Sequence, residues 1–134
     1  MKKLPPSSGP DVAPKPVRWI GESKRDLSAF PNEVKLRVGG ALWDAQVGLK
    51  SPVAKPLKGF GGAGVLEVVV DFDGDAFRTI YTVRFPEAVY VLHAFQKKSR
   101  RGIATPKAEL RLVEARLARA KEDYDQWLRN RQSK

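Results

Sequence analysis

Ten residues of this chain could act on a phosphodiester, and most cluster where a strand becomes a cationic hinge. In the run from Val89 to Phe95, six of seven positions are apolar and surround His93, the only histidine. Lys97, Lys98, Arg100 and Arg101 follow within five positions, and Thr105-Pro106 then marks a helix start. Clustered fixed positive charge on a rigid sheet edge suits a nucleic-acid backbone better than it suits a solvated loop. Metal-free cleavage of RNA turns the ribose 2′-OH on its own 3′-phosphate. It needs a base for that hydroxyl, positive charge for the five-coordinate phosphorane and an acid for the leaving 5′-oxygen. Arg78 offers a planar two-pronged phosphate donor. Lys97 and Lys98 offer charge, His93 offers proton transfer by residue type, and Glu67 offers a base if it faces the same cleft. Lys55, Lys58, Arg100, Arg101 and Lys107 complete a basic set for RNA binding.

Plainer readings stand beside these. A lone histidine on an apolar face is commonly a hydrogen-bonded core residue. In strict alternation His93 shares its face with Val89, Val91 and Phe95. Arg78 could belong to a solvated sheet face. The cationic run could hold RNA without cutting it, because phosphate contacts mostly position. Trp19, Trp43 and Trp127 are scattered and read as packing anchors.

Composition removes many alternatives. The chain has 134 residues and no cysteine, so disulfide frameworks, cysteine nucleophiles and cysteine zinc sites are excluded. One histidine excludes a multi-histidine metal site and a two-histidine acid/base pair. Hence neither metal nor cofactor is expected. The absence of cysteine fits a reducing cytoplasm. No apolar run spans a membrane, and Lys2 and Lys3 are not followed by the core of a signal peptide. The net charge of +10 is uneven. Residues 1–70 contribute +5, residues 71–95 contribute −2 and residues 96–134 contribute +7. That excess favours a polyanionic partner, or else forms a solubilising helix face.

The elements that would position these groups follow from pattern. Residues 1–16 hold five of ten prolines and read as a disordered tail. A single domain is expected over 17–128, with a flexible tail over 129–134. Val17–Ile20 reads as a short strand. Ser23-Lys-Arg-Asp26 reads as a capping box opening a helix to Phe30. Pro31 opens a second helix whose Val34, Val38, Ala41, Leu42 and Ala45 form one stripe, stopped by Gly48. Ser51–Gly64 reads as a loop; its four glycines lack the context of a phosphate-binding loop. Val65–Val70, Ala76–Arg84 and Val89–Phe95 read as an antiparallel meander with turns at 71–75 and 85–88. The aspartates of the first turn lack calcium-loop spacing. Thr105 caps a last helix with Pro106 in first position. That helix is seamed by Leu110, Val113, Leu117, Ala120, Tyr124 and Trp127, with Arg111, Arg116, Arg119 and Lys121 off the seam. The expected fold is therefore α+β: a helix pair packed on a small antiparallel sheet, with a C-terminal amphipathic helix.

Ala54-Lys-Pro-Leu-Lys-Gly-Phe60, Phe77-Arg-Thr-Ile-Tyr81, Val91-Leu-His-Ala-Phe-Gln-Lys-Lys98 and Thr105-Pro106, in this order, resemble the RelE/ParE superfamily of bacterial toxins, in its HigB-like, phage-derived branch. The resemblance covers roughly residues 17–120. It implies a toxin that cleaves mRNA, commonly on the ribosome, and that is held inactive by a cognate antitoxin. It also implies that Arg78 matches the family's strand arginine, Lys97 and Lys98 its basic positions, and His93 a histidine common in that branch. Glu67 stands where such toxins carry a basic residue, and Gly102-Ile-Ala104 where many carry a tyrosine. Two other functions stay open: a ParE-like poison of DNA gyrase, and a non-catalytic nucleic-acid-binding prophage protein.

Overall fold

The computed structural model describes residues 13–62, 64–97 and 105–132. Five strands form one sheet in the order β1-β5-β4-β3-β2. They are β1 (Val17–Trp19), β2 (Ala54–Pro56), β3 (Val65–Phe72), β4 (Asp75–Thr82) and β5 (Val89–Lys97). Three helices, α1 (Ser23–Ser28), α2 (Asn32–Gln46) and α3 (Lys107–Gln132), cover the two faces of the sheet. The fold is α+β, as the pattern predicts, and β3-β4-β5 is the expected antiparallel meander, but β1 joins β5 in parallel, so the sheet is mixed and not wholly antiparallel.

Each sheet face has its own core, as alternation in β-strands requires. On one face Leu27 of α1, Phe30 of the connection and Val34, Val38 and Leu42 of α2 meet Leu66, Val68, Phe77, Tyr81, Val89 and Val91. On the other, Val113, Ala120 and Tyr124 of α3 meet Val65, Ile80, Tyr90 and Leu92. All five residues of the α2 stripe are buried. Asp73 and Gly74, with φ of 54° and 86°, make a tight two-residue turn between β3 and β4. Gly48, with φ of 84°, ends the α2 segment, its N–H bonded to the Ala45 carbonyl at 3.1 Å.

Several expectations change. The capping box at Ser23 does not form. Glu22 takes the cap position, and the Ser23 hydroxyl donates instead to the Val91 carbonyl at 3.0 Å, tying α1 to β5. The Ser51–Gly64 segment contains β2, an edge strand short enough to tolerate Pro56. α3 runs to Gln132, into the 129–134 stretch expected as a flexible tail, and there Arg131 donates to Glu87 at 2.6 Å and stands over the Trp127 ring. Trp19 and Trp127 pack as anchors, but Trp43 is 51% exposed. Residues 1–12 lie outside the described residues.

A polar clasp fixes the far half of α3. Arg18 of β1 donates to Asp123 at 2.8 Å, and the Tyr90 hydroxyl donates to the same carboxylate at 2.6 Å. The Arg18 hydrogen bond, with help from Tyr90, holds the Asp123 carboxyl below the usual range against the opposing effect of burial. Burial, followed by its tie to Asp123, pushes the Tyr90 phenol up.

Tyr81 lacks such a partner. It is fully buried, and its hydroxyl makes no hydrogen bond among the described residues. Burial, then the Asp44 carboxylate, pushes its pKa up to about 12. An unfolded tyrosine ionises near 10. The folded state therefore keeps its full stability below about pH 10 and loses it as pH rises toward 12. Tyr81→Phe should match or exceed the parent by up to about 1 kcal/mol at neutral pH, because a buried unpaired hydroxyl is removed. It should also lose less stability at pH 11. Urea midpoints at pH 7 and pH 11 check both signs. A variant clearly weaker at pH 7 would show that the hydroxyl has a stabilising partner.

Candidate active site

The candidate residues come together through strand register. On the face covered by α3, one row across the sheet reads Lys55, Glu67, Ile80, His93. The next row reads Val69, Arg78, Phe95, and the one after it Asp71, Ala76, Lys97. Arg78 is therefore diagonal to Glu67, His93 and Lys97, at a spacing long side chains bridge.

His93 reaches this face through an irregularity. Ile80 pairs with His93 and Tyr81 with Val91, so Leu92 is an extra residue in β5. Such a bulge re-aims the side chains beyond it. Val89 and Val91 face α1 and α2, whereas Leu92 and Phe95 face α3. The strict alternation expected for His93 with Val89 and Val91 is thus broken one residue before it.

Arg78 is 6% exposed and is not on a solvated face. Its Nη1 donates to Glu67 Oε2 at 2.9 Å and lies 3.4 Å from the Thr105 hydroxyl. Thr105 donates to the same Glu67 oxygen. This is the hydroxyl expected to cap α3; it serves the carboxylate instead, while the Pro106 carbonyl accepts from Leu110 N–H. Arg78 Nη1 and the Thr105 hydroxyl thus converge on one carboxylate oxygen.

Above this trio lies a basic cleft. A cavity of about 260 Å³ is lined by Lys55, Leu57, Lys58, Glu67, Thr105 and Leu110. A second of about 200 Å³ adjoins it through Lys58 and Leu110 and adds Phe60, Lys107 and Arg111. Lys55, Lys58, Lys107 and Arg111 are all exposed. Four cations and the exposed Glu114 carboxylate therefore rim a cleft whose floor holds Glu67.

His93 stands apart from that cleft. It is 6% exposed, with Nε2 2.6 Å from Glu109 Oε1 and Nδ1 3.3 Å from Arg116 Nη1. Since Arg116 can only donate, Nδ1 accepts and Nε2 carries the proton. Arg116 also donates to the Leu92 carbonyl at 3.0 Å, bracing the bulge. Its guanidinium crowds Gly21, whose φ is 59°; an added Cβ there would lie 2.8 Å from it. On its other side His93 borders a cleft of about 370 Å³ with Asp26, Phe30, Phe95 and Gln96.

Of the expected site residues, Arg78, His93 and Lys97 share one face, and Lys55, Lys58 and Lys107 share one cleft. Lys98, Arg100 and Arg101 lie outside the described residues. Sequence reasoning does not single out Thr105 as a ligand of Glu67, Arg111 on the rim or Arg116 under the bulge. It places Arg111 and Arg116 off the α3 seam, and their offsets of one residue from Leu110 and about two turns from Glu109 are the available signal. Among the described residues no group of three or more metal-binding side chains occurs. No described helix is long and apolar enough to cross a membrane.

Comparison with known proteins adds family and likeness. A family described as "Phage derived protein Gp49-like (DUF891)" matches residues 25–118. The chain is also similar to a chain in the crystal structure of the toxin-antitoxin complex RelBE2 from Mycobacterium tuberculosis. The identity is 21% and the TM-score 0.43, over 63% of this chain and 100% of that one. No curated protein sequence matches.

Proposed function

From the fact that this chain belongs to the Gp49-like family of phage-derived proteins, a family of RelE-like toxins, we propose that it is an endoribonuclease toxin acting on mRNA at the ribosome. The observation that carries the reading is the cleft itself: exposed Lys55, Lys58, Lys107 and Arg111 around a floor of Glu67 and Thr105, with buried Arg78 bonded to Glu67 behind it. Cations on the rim neutralise a phosphodiester backbone. A carboxylate at the floor is then the group best placed to take the proton of a ribose 2′-OH.

In the proposed reaction Glu67 accepts that proton as O2′ bonds to phosphorus and the P–O5′ bond breaks. Arg78 turns from Glu67 to the phosphorane, and a cleft ammonium group delivers a proton to the departing 5′-oxygen. The products are a 2′,3′-cyclic phosphate and a 5′-hydroxyl. His93 supports this by holding Glu109 and Arg116 in place; its two engaged ring nitrogens favour positioning over proton transfer. Lys97 and the hinge cations Lys98, Arg100 and Arg101 extend the RNA contact. A cognate antitoxin with acidic segments is the partner that such a cleft would accept, and the activity would be cytoplasmic.

Induced expression in a bacterium, with mRNA 5′-ends mapped within minutes, tests the reading. New cleavage sites in translated frames are expected. Growth arrest with intact mRNA would replace it with a gyrase-type poison, and no arrest with a binding protein. Lys58→Glu/Lys107→Glu should weaken RNA binding at least about 10-fold near physiological salt and flatten its salt dependence. Unchanged binding would remove RNA from this cleft.

A further inference from the structure

The exposed side of α2 carries a pattern the monomer does not use. Its buried residues, Val34, Val38, Ala41, Leu42 and Ala45, occupy one side of the helix. At 100° per residue, Leu36, Gly39, Gly40 and Trp43 fall directly opposite, toward solvent. Leu36 is 76% exposed and Trp43 51% exposed, the two most outward large apolar groups of any described helix. Between them sit adjacent glycines in mid-helix, where glycine is among the least favourable residues. Both have helical φ, and an added Cβ at either would meet nothing within 4 Å. Neither backbone conformation nor packing within the chain calls for them.

We propose that this face is a self-association surface, and that its occupant is a second copy of α2 crossing antiparallel. The order Leu36, Gly39, Gly40, Trp43 is symmetric about the point between the glycines. A two-fold axis through that point sets Leu36 of each copy against Trp43 of the other, and glycine against glycine where the helices cross. A patch that complements itself in this way is what an isologous dimer requires. Electrostatics select the same occupant. The chain carries +10 overall, so two copies repel across most faces. The charges of α2, Glu33, Lys35, Arg37 and Asp44, cancel. Arg37 and Asp44, seven residues apart, lie on one flank of the stripe. In the antiparallel arrangement Arg37 comes within two residues, about 3 Å along the axis, of Asp44 in the second copy. An acidic partner would gain little on this neutral face and much more over the basic cleft.

One helix crossing is a small interface, so the dimer is weak and concentration-dependent. Analytical ultracentrifugation of the full chain tests it. The mass should rise from 14.9 kDa toward twice that value as concentration increases. Trp43→Glu and Leu36→Glu should each hold it at 14.9 kDa. Gly39→Ala/Gly40→Ala separates association from folding. It should melt roughly 5 °C higher, through better helix propensity, yet associate at least tenfold more weakly. A parent that stays monomeric throughout would overturn the proposal. So would a Trp43→Glu chain that still dimerises, or an alanine pair that associates as well as the parent. This inference is independent of the proposed nuclease activity.

Discussion

Glu67→Gln should lower RNA cleavage by about 100- to 1,000-fold, the usual worth of a positioned general base. The amide keeps the size of the side chain. Its carbonyl oxygen can still accept from Arg78 and Thr105, so the floor of the cleft should keep its shape. The change removes the capacity to take a proton and the negative charge under four cations. RNA binding should therefore hold or tighten while the chemical step fails. That split separates a base from a structural carboxylate, whose loss would weaken binding and cleavage together. Single-turnover cleavage beside a binding isotherm reads both quantities. A glutamine variant that cuts at the parental rate would transfer the base role elsewhere on this face.

The frame of this site is legible in the residue order, and its wiring is not. Alternation in β3, β4 and β5, the stripe of α2 and the seam of α3 are consequences of burial on one side of each element, so they can be read from pattern. Arg78 can be assigned to a strand for the same reason. Its environment cannot, because Glu67, Thr105 and Arg78 come from three separate segments and meet only through register. A hydroxyl at a helix start reads as a cap, and only tertiary structure reveals a stronger acceptor nearby. Ser23 and Thr105 both illustrate this: each leaves its own helix end for β5 or for Glu67. The bulge at Leu92 is invisible for a related reason. An apolar run such as Val89 to Leu92 carries no polar residue to report which face each position takes, so the slip that turns His93 toward α3 has no local mark. The cationic cleft is legible as charge but not as a shape, since its rim draws on β2, the segment after it and the start of α3.

Arg78→Ala should be the most damaging single change, removing cleavage and costing about 3–5 kcal/mol of stability. The stability loss comes from the partner left behind. Glu67 has a side chain only 16% exposed and would keep its charge with one hydroxyl donor in place of two donors. A folding defect alone could then explain a silent enzyme, so the two effects have to be separated. Arg78→Met/Glu67→Leu removes both charges and refills the space with apolar groups of similar volume, a replacement that is often neutral for buried ion pairs. The double variant should recover most of the lost urea midpoint and none of the cleavage. Arg78→Lys should keep a cation near Glu67 and fold well. It should still cut at least tenfold more slowly, because a point charge cannot offer the two fixed donors that a phosphate oxygen pair uses. If the lysine variant matched the parent in cleavage, Arg78 would be an ion-pair strut of the sheet. The phosphate contact would then pass to Lys55 and Lys58 on the rim.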